Sequence, residues 1–396
     1  MLDDATAAGI AETDQLDWKS RLPPEGTLAQ SDLVKDIAAF ANSGGGLVVF
    51  GITERDTKAT GRVDVGDVTE SYERTLRRVA VTGIQPPVFG LDIVRAGNEG
   101  KRALVVVVPP SVDAPHLIYR GNYFGAPVRN HADTEWMRER QLEALYRIRL
   151  DERRNADSAL FDLYDELAAG RATSERAWLI IVAQPRLPVT THHLDRAEMQ
   201  QVVCDTEPRA LGWARRSAGV HPLEAVDRLN PRRGLRRWVL VNEANGSRSW
   251  REAWMAVHDS GAVSLAQAIG GHRISGSEMA TLPGNRVRSA HIECSVVDVM
   301  ALLREATSAM GAMSEYAVVL GIEWAGDEPL VVETVDGSGF RFDGTSIPLA
   351  RYTKVRSAIR LDVDEAAYLE QVCALALDAV NQGGVQNLQT MLQSAR

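Results

Sequence analysis

The run Ala39–Ile52, A-F-A-N-S-G-G-G-L-V-V-F-G-I, constrains this chain more than any other segment. Ser31 and Asp32 can cap a helix reaching about Asn42, with Leu33, Val34, Ile37, Ala38 and Phe40 on its apolar face. Gly44-Gly45-Gly46 then ends that helix, and Leu47–Ile52 is an apolar run of strand length. The chain must turn sharply from a helix into a buried strand. A P-loop runs the other way, from strand to helix, and closes on Lys-Ser/Thr. No Lys-Ser/Thr follows the three glycines, so a nucleotide-binding module is the weakest reading of this segment.

Three acids flank the turn. Glu12 and Asp17 sit five apart in E-T-D-Q-L-D-W-K, leading through a short strand candidate, Leu16–Lys19. Glu54 lies just past the buried strand. If the two strands lie side by side, the three carboxylates converge. Converging carboxylates repel, so they need a divalent metal or a shared proton. A Mg²⁺ or Mn²⁺ ion held this way would suit phosphodiester cleavage. The competing reading is three solvated loop acids, the common fate of isolated carboxylates. Lys19 would reach a phosphate or simply pair with the acids beside it.

Composition narrows the partners. Apolar residues make up 45% and charged residues 24%, ordinary for a globular chain of 396 residues with two or three domains. A net charge of −9 gives no global basic field, so any polyanion must be held by local patches. Arg55, Lys58, Arg62, Arg74, Arg77 and Arg78 form one such group in sequence; Tyr119, Arg120, Tyr123 and Arg129 interleave aromatic and basic residues as stacking and phosphate contact would need. Solvated helix faces and half-buried strands explain the same residues without a ligand. His116 is either a phosphate donor or a structural hydrogen-bonder. Cys204, Cys294 and Cys373 form no C-x-x-C pair, which fits a reducing cytoplasm. No secretory signal and no membrane-length apolar run is expected.

The order of motifs over residues about 10–148 resembles the Schlafen/AlbA-type domain family. The resemblance rests on Glu12…Asp17-Trp18-Lys19, on Lys35-Asp36…Ala39-Phe40-Ala41-Asn42…Gly44-Gly45, and on the strand into Gly51-Ile52-Thr53-Glu54. It continues through Ile84-Gln85-Pro86-Pro87, Val108-Pro109-Pro110-Ser111, Pro115-His116, Gly121-Asn122-Tyr123-Phe124 to Arg129, and Glu143-Ala144-Leu145-Tyr146. It implies an α/β nucleic-acid-binding domain. Nuclease members imply cleavage of RNA, notably tRNA, by three metal-binding carboxylates, which fall on Glu12, Asp17 and Glu54, with roles in stress response or phage defence. Those nucleases carry Glu at the second acid and Asp at the third, so one side chain here is shorter and one longer, in a chemistry that tolerates about ±0.2 Å in ligand distance. Nuclease cores of this type pair two lobes; one lobe in this chain implies a homodimer.

The expected organisation is an α/β domain over 1–150, a charged linker or helix over 151–175, and an α+β domain of unknown role over 176–396. Residues 1–11 read as a loose tail and Thr134–Arg149 as a helix. In the second half, strands are expected at Ala177–Val182, Arg237–Val241, Trp250–Val257, Ala262–Ala266, Arg288–Ser295, Ala317–Trp324, Leu330–Thr334 and Val355–Leu361. Helices are expected near 195–203, 297–310 and 364–394, and hairpins at 258–261 and 336–339. His192-His193 with Asp195 has a superficial metal look, but adjacent residues on an extended segment point oppositely. Arg232, Arg233, Arg236 and Arg237 read as a charged loop or a nucleic-acid contact. The sequence leads to an RNA-binding protein with a candidate metal-dependent endoribonuclease site; the alternative is a non-catalytic nucleic-acid-binding regulator with a sensor or interaction domain.

Overall fold

The computed structural model describes residues 2–121, 123–186, 189, 192–214, 221–242, 252–271, 282–311, 315–325, 327–335, 341–342 and 346–391. Two compact units divide at residues 154 and 155.

The first unit opens with helix α1, Leu2–Ala8, where a loose tail was expected; Ala5 on its inner face is buried. Strand β1, Leu16–Lys19, is followed by helix α2, Asp32–Asn42, and strand β2, Gly46–Phe50. β1 and β2 pair in parallel, Leu16 against Leu47 through Lys19 against Phe50, which is the side-by-side arrangement the carboxylates need. The glycine turn makes it possible. Gly44 and Gly45 take φ of +89° and +91°. A Cβ on Gly45 would stand 2.8 Å from Val108 O, and one on Gly46 would run into the Phe40 ring. β2 is shorter than the expected Leu47–Ile52 because Gly51, at φ +99°, breaks it.

The chain then folds into the hairpin β3, Ile52–Arg55, and β4, Lys58–Arg62, with a register shift at Thr53 and Glu54. Helix α3, Glu70–Thr82, is capped by the Thr69 side chain accepting from Tyr72 N–H. Strands β5, Ile84–Gln85, β6, Asp92–Ala96, and β7, Ala103–Val108, follow; β1-β2-β7-β6 form one sheet. Strands β8, Leu117–Arg120, and β9, Tyr123–Gly125, join β5 in a three-stranded sheet. Strands β10, Pro127–Asn130, and β11, Asp133–Trp136, form a last hairpin. Residues 134–136 are therefore strand, and helix α4 starts only at Glu139. It runs to Ala168, carrying the charged D-E-R-R-N-A-D stretch as helix. The core of this unit packs α2 and α3 on the β2-β7-β6 face through Phe40, Leu76, Val48 and Leu104.

The second unit is built on a seven-stranded antiparallel sheet. Its strands are β12, Trp178–Pro185; β13, Arg232–Gly234; β14, Arg237–Val241; β15, Ala253–His258; β16, Val263–Ala268; β18, Glu315–Glu323; and β21, Val355–Arg360, in the order β13-β14-β15-β16-β12-β18-β21. Helices α5, Arg196–Trp213, α6, Ser289–Ala309, and α7, Glu365–Asn381, share its large core. Leu160 and Tyr164 of α4 pack against a second cluster with Trp178, Ile180 and Val319. A small sheet joins β17, Arg286–Arg288, β19, Val331–Val335, and β20, Arg341–Phe342. The expected strand Arg288–Ser295 is instead the first turns of α6, a helix buried nearly all round, which periodicity cannot separate from a buried strand. The fold is an α/β N-terminal unit followed by an α+β unit. Trp250 and the hairpin expected at 336–339 lie outside the described residues. No described helix is long and apolar enough to cross a membrane.

Candidate nucleic-acid interface and carboxylate cluster

Asp17 sits inside the β1–β2 pairing and is only 2% exposed. Its two oxygens meet two cations. Lys19 Nζ lies 2.5 Å from Oδ2, and Arg129 Nη1 donates to Oδ1 at 3.2 Å. Burial works against the Lys19 ammonium, but the charge and hydrogen bond of Asp17, with Asp36 and Glu12 behind it, hold its pKa above the ordinary lysine value. Arg129 is buried as well. It also donates to Thr134 Oγ1 and stacks 4.9 Å over the Phe40 ring. Its guanidinium is spent inside the domain and is not presented to a phosphate at the surface.

Glu12 is held beside this pair by backbone contacts. Its N–H donates to Thr57 O at 2.8 Å, and Ala59 N–H donates to Ile10 O. Asp56 and Thr57 form the tip of the β3–β4 hairpin with φ of 52° and 62°, a two-residue turn whose twist suits a tight hairpin. The Glu12 carboxylate accepts the Trp18 N–H at 2.8 Å. Burial pushes its pKa up to about 7; the Trp18 bond opposes this, while the Asp17 charge and a side-chain hydrogen bond with Glu54 reinforce it. A register shift, a feature that re-aims side chains along a strand, falls between Thr53 and Glu54. Asp36, on α2, is a fourth buried acid that the sequence did not single out. Burial and then the neighbouring Asp17 push it up to about 6.

The structure thus sets Glu12 beside Glu54, which adds to the rise in the Glu12 pKa, and engages Asp17 with two cations. As placed, the three acids would take up a divalent ion only once Lys19 has left Asp17. Inner-sphere ligation needs oxygens free at about 2–2.6 Å, and Lys19 already occupies Asp17 Oδ2. Among the described residues no group of three or more His, Cys, Asp or Glu could hold a metal ion.

The basic residues divide. Arg55 and Lys58 flank the hairpin tip and, with Arg78 on α3, are exposed and form no ion pair among the described residues. Arg77 pairs with Glu73 and Arg74 with Glu70 on their own helix. Arg62 is mostly covered and donates to Lys101 O and Asp3. The side chains of Arg120 and Tyr123 lie outside the described residues. His116 is fully buried, its ring nitrogens 2.8 Å from Pro86 O and 2.7 Å from Ser111 Oγ, a structural role. Asn42, missed as a site residue, is the clamp beneath the cluster. Its Nδ2 donates to His116 O and Pro127 O, and its Oδ1 accepts His116 N–H. In the second unit, His192 pairs with Glu198, and Asp195 caps α5. Arg233 forks onto Asp259, and Arg237 reaches Glu166.

The buried turn, the parallel strand pair and the clustered acids occupy one stretch of chain. Residues 12–138 match the family Schlafen, AlbA_2. The Schlafen, AlbA_2 stretch therefore spans the acids, the hairpin and the basic residues of the first unit named above, and no family match covers the C-terminal half. Comparison with curated proteins gives no match. Among solved structures, the chain is similar to the N-terminal domain of an ATP-dependent DNA helicase RecG-related protein from Nitrosomonas europaea, at 19% identity and a TM-score of 0.26, over 35% of this chain and 89% of that one. It is also similar to the DIP2311 protein from Corynebacterium diphtheriae, at 12% identity and a TM-score of 0.26, over 80% of this chain and 64% of that one.

Proposed function

We propose that the N-terminal unit binds nucleic acid, RNA in the first instance, and that the chain works as a nucleic-acid-binding regulator whose C-terminal unit senses a ligand or docks a partner. The observation that carries this is the Schlafen, AlbA_2 match over the stretch that bears the exposed cations Arg55, Lys58 and Arg78, which form no ion pair among the described residues. Phosphate contacts release counterions, so affinity falls with salt by a slope of roughly 0.7–0.9 per contact. Binding of labelled single-stranded RNA and of tRNA, measured against salt, tests the assignment. Arg55→Ala with Lys58→Ala is expected to flatten the slope by about one to two units; an unchanged slope removes these residues from the interface.

A second reading is a Mg²⁺- or Mn²⁺-dependent endoribonuclease acting on tRNA-like RNA in stress or phage defence. The closeness of Glu12 to Glu54 favours it. It requires Glu12, whose pKa is raised, to lose its proton and Asp17 to release Lys19, and a homodimer to build a groove from one lobe per chain. Incubating tRNA and Mn²⁺ with wild type and with Glu12→Ala decides between the two. Cleavage that the variant loses supports the enzyme; tight binding with intact RNA supports the regulator.

A further inference from the structure

The outward face of the β5-β8-β9 sheet carries a feature that the carboxylate cluster does not use. Ile84 and Ile118 are paired across strands and point into the core. Alternation then sends Gln85 and Tyr119 to the opposite face. Tyr119 lies directly across from Phe124 on β9, with ring centroids 5.2 Å apart and tilted by 53°. Both rings remain in water, 60% and 61% exposed. Aromatic rings usually bury most of their large surface, so two neighbouring rings left open on one strand pair need an explanation.

Beside them is a cavity of about 330 Å³. Tyr119, Phe124, Val34 and Ile118 give it apolar walls, and Gln85 and Gln30 stand at its edge. Both glutamines are exposed, and neither carboxamide makes a hydrogen bond among the described residues. A carboxamide offers a donor and an acceptor side by side, which matches the polar edge of a nucleobase. The volume is at the small end for ligand pockets. A planar group with a polar edge fits these walls; a second copy of the chain would be better served by a broad apolar face than by a concavity edged with amides.

We infer that this cavity takes one unpaired base of a single-stranded nucleic acid, stacked on Tyr119 and Phe124 and read at its edge by Gln85 and Gln30. The inference rests on the nucleic-acid-binding reading above and gives it a base-contacting subsite separate from the phosphate contacts of Arg55 and Lys58. Single-strand recognition by stacking tolerates several bases, so the site would prefer unpaired over duplex strands.

Full-length protein and a fluorescent single-stranded 12-mer, made as RNA and as DNA, test this. Tyr119→Leu with Phe124→Leu keeps apolar bulk but removes the π faces. That variant is expected to bind at least about fivefold more weakly while keeping the wild-type salt slope. Arg55→Ala with Lys58→Ala should instead change the slope. Photo-crosslinking with a 5-iodouracil oligomer needs no variant, and its adduct is expected on the peptide spanning residues 117–125. Wild-type affinity in the Leu variant, or adducts only elsewhere, overturns the base site and leaves nucleic-acid binding standing. Loss of a dimer in the Leu variant assigns the rings to a second copy and also overturns it. If no RNA or DNA is bound by wild type, both readings fall together.

Discussion

Buried acids in the two units are handled in opposite ways. In the C-terminal unit Glu293 and Asp298 are met by fixed backbone and side-chain donors. Glu293 Oε2 accepts from the backbone N–H groups of Gln389 and Thr390 and from the Thr390 hydroxyl. Asp298 accepts from Leu223 N–H and faces His221 Nδ1 at 2.7 Å. Burial works against the His221 cation, yet the Asp298 hydrogen bond and charge raise its pKa to about 11. Arg286 reaches Glu333. In the N-terminal unit the acids lean on one another. Glu12 is raised by burial and by its acidic neighbours, Asp36 by burial and then Asp17, and Lys19, which serves Asp17, is 37% exposed on a flexible stem. The first pattern staples a fold. The second leaves a cluster whose charge can change without undoing its surroundings, which is where a ligand has leverage.

The comparison can be broken by substitution. Asp298→Ala takes away the partner of the buried His221 and the acceptor of Leu223 N–H, and losing one partner of a buried pair costs about 3–5 kcal/mol. Urea unfolding of the second unit should show that loss. Glu12→Ala leaves no charge behind, only the Trp18 N–H without its acceptor, so about 1–3 kcal/mol is expected by hydrogen exchange in β1. Equal costs at the two positions would erase the distinction between staple and cluster.

The smallest effect is on pH dependence. Glu12 and Asp36 have folded pKa values above their unfolded ones, so their stabilising contribution is complete below the unfolded values and is lost as pH rises through about 6 and 7. Thermal stability of the first unit should therefore decline between about pH 4 and 7 through these groups. Glu12→Gln should shallow that decline; a variant that keeps the full slope would show that Glu12 is not the titrating group.

Much of the N-terminal fold was legible because its signals are local. The apolar face of α2 and the triple glycine each act within a few residues and set up the strand on which the acids depend, whereas Ser31 stands at the N-cap position with its hydroxyl donating to Leu28 O instead of capping the helix. What was not legible is long-range. Arg129 reaches Asp17 across 112 residues of chain, so an arginine in an aromatic-basic run looked like a phosphate ligand when it is an internal counter-ion. Asn42 is an ordinary helix-end residue until His116 and Pro127 arrive beside it. Leu2–Ala8 was missed because only Ala5 of that polar helix is buried. Trp136 suggested a helix, yet it pairs with Pro127 across a hairpin.

The triple glycine also sets how far this chain can drift. In a saturation library across residues 44–46, position 44 has open space around a Cβ and should accept asparagine, the residue most at ease in left-handed backbone. Positions 45 and 46 face a carbonyl and an aromatic ring and should return glycine alone. Descendants could thus remodel every charged residue of the cluster and still be recognised by two residues that carry no side chain.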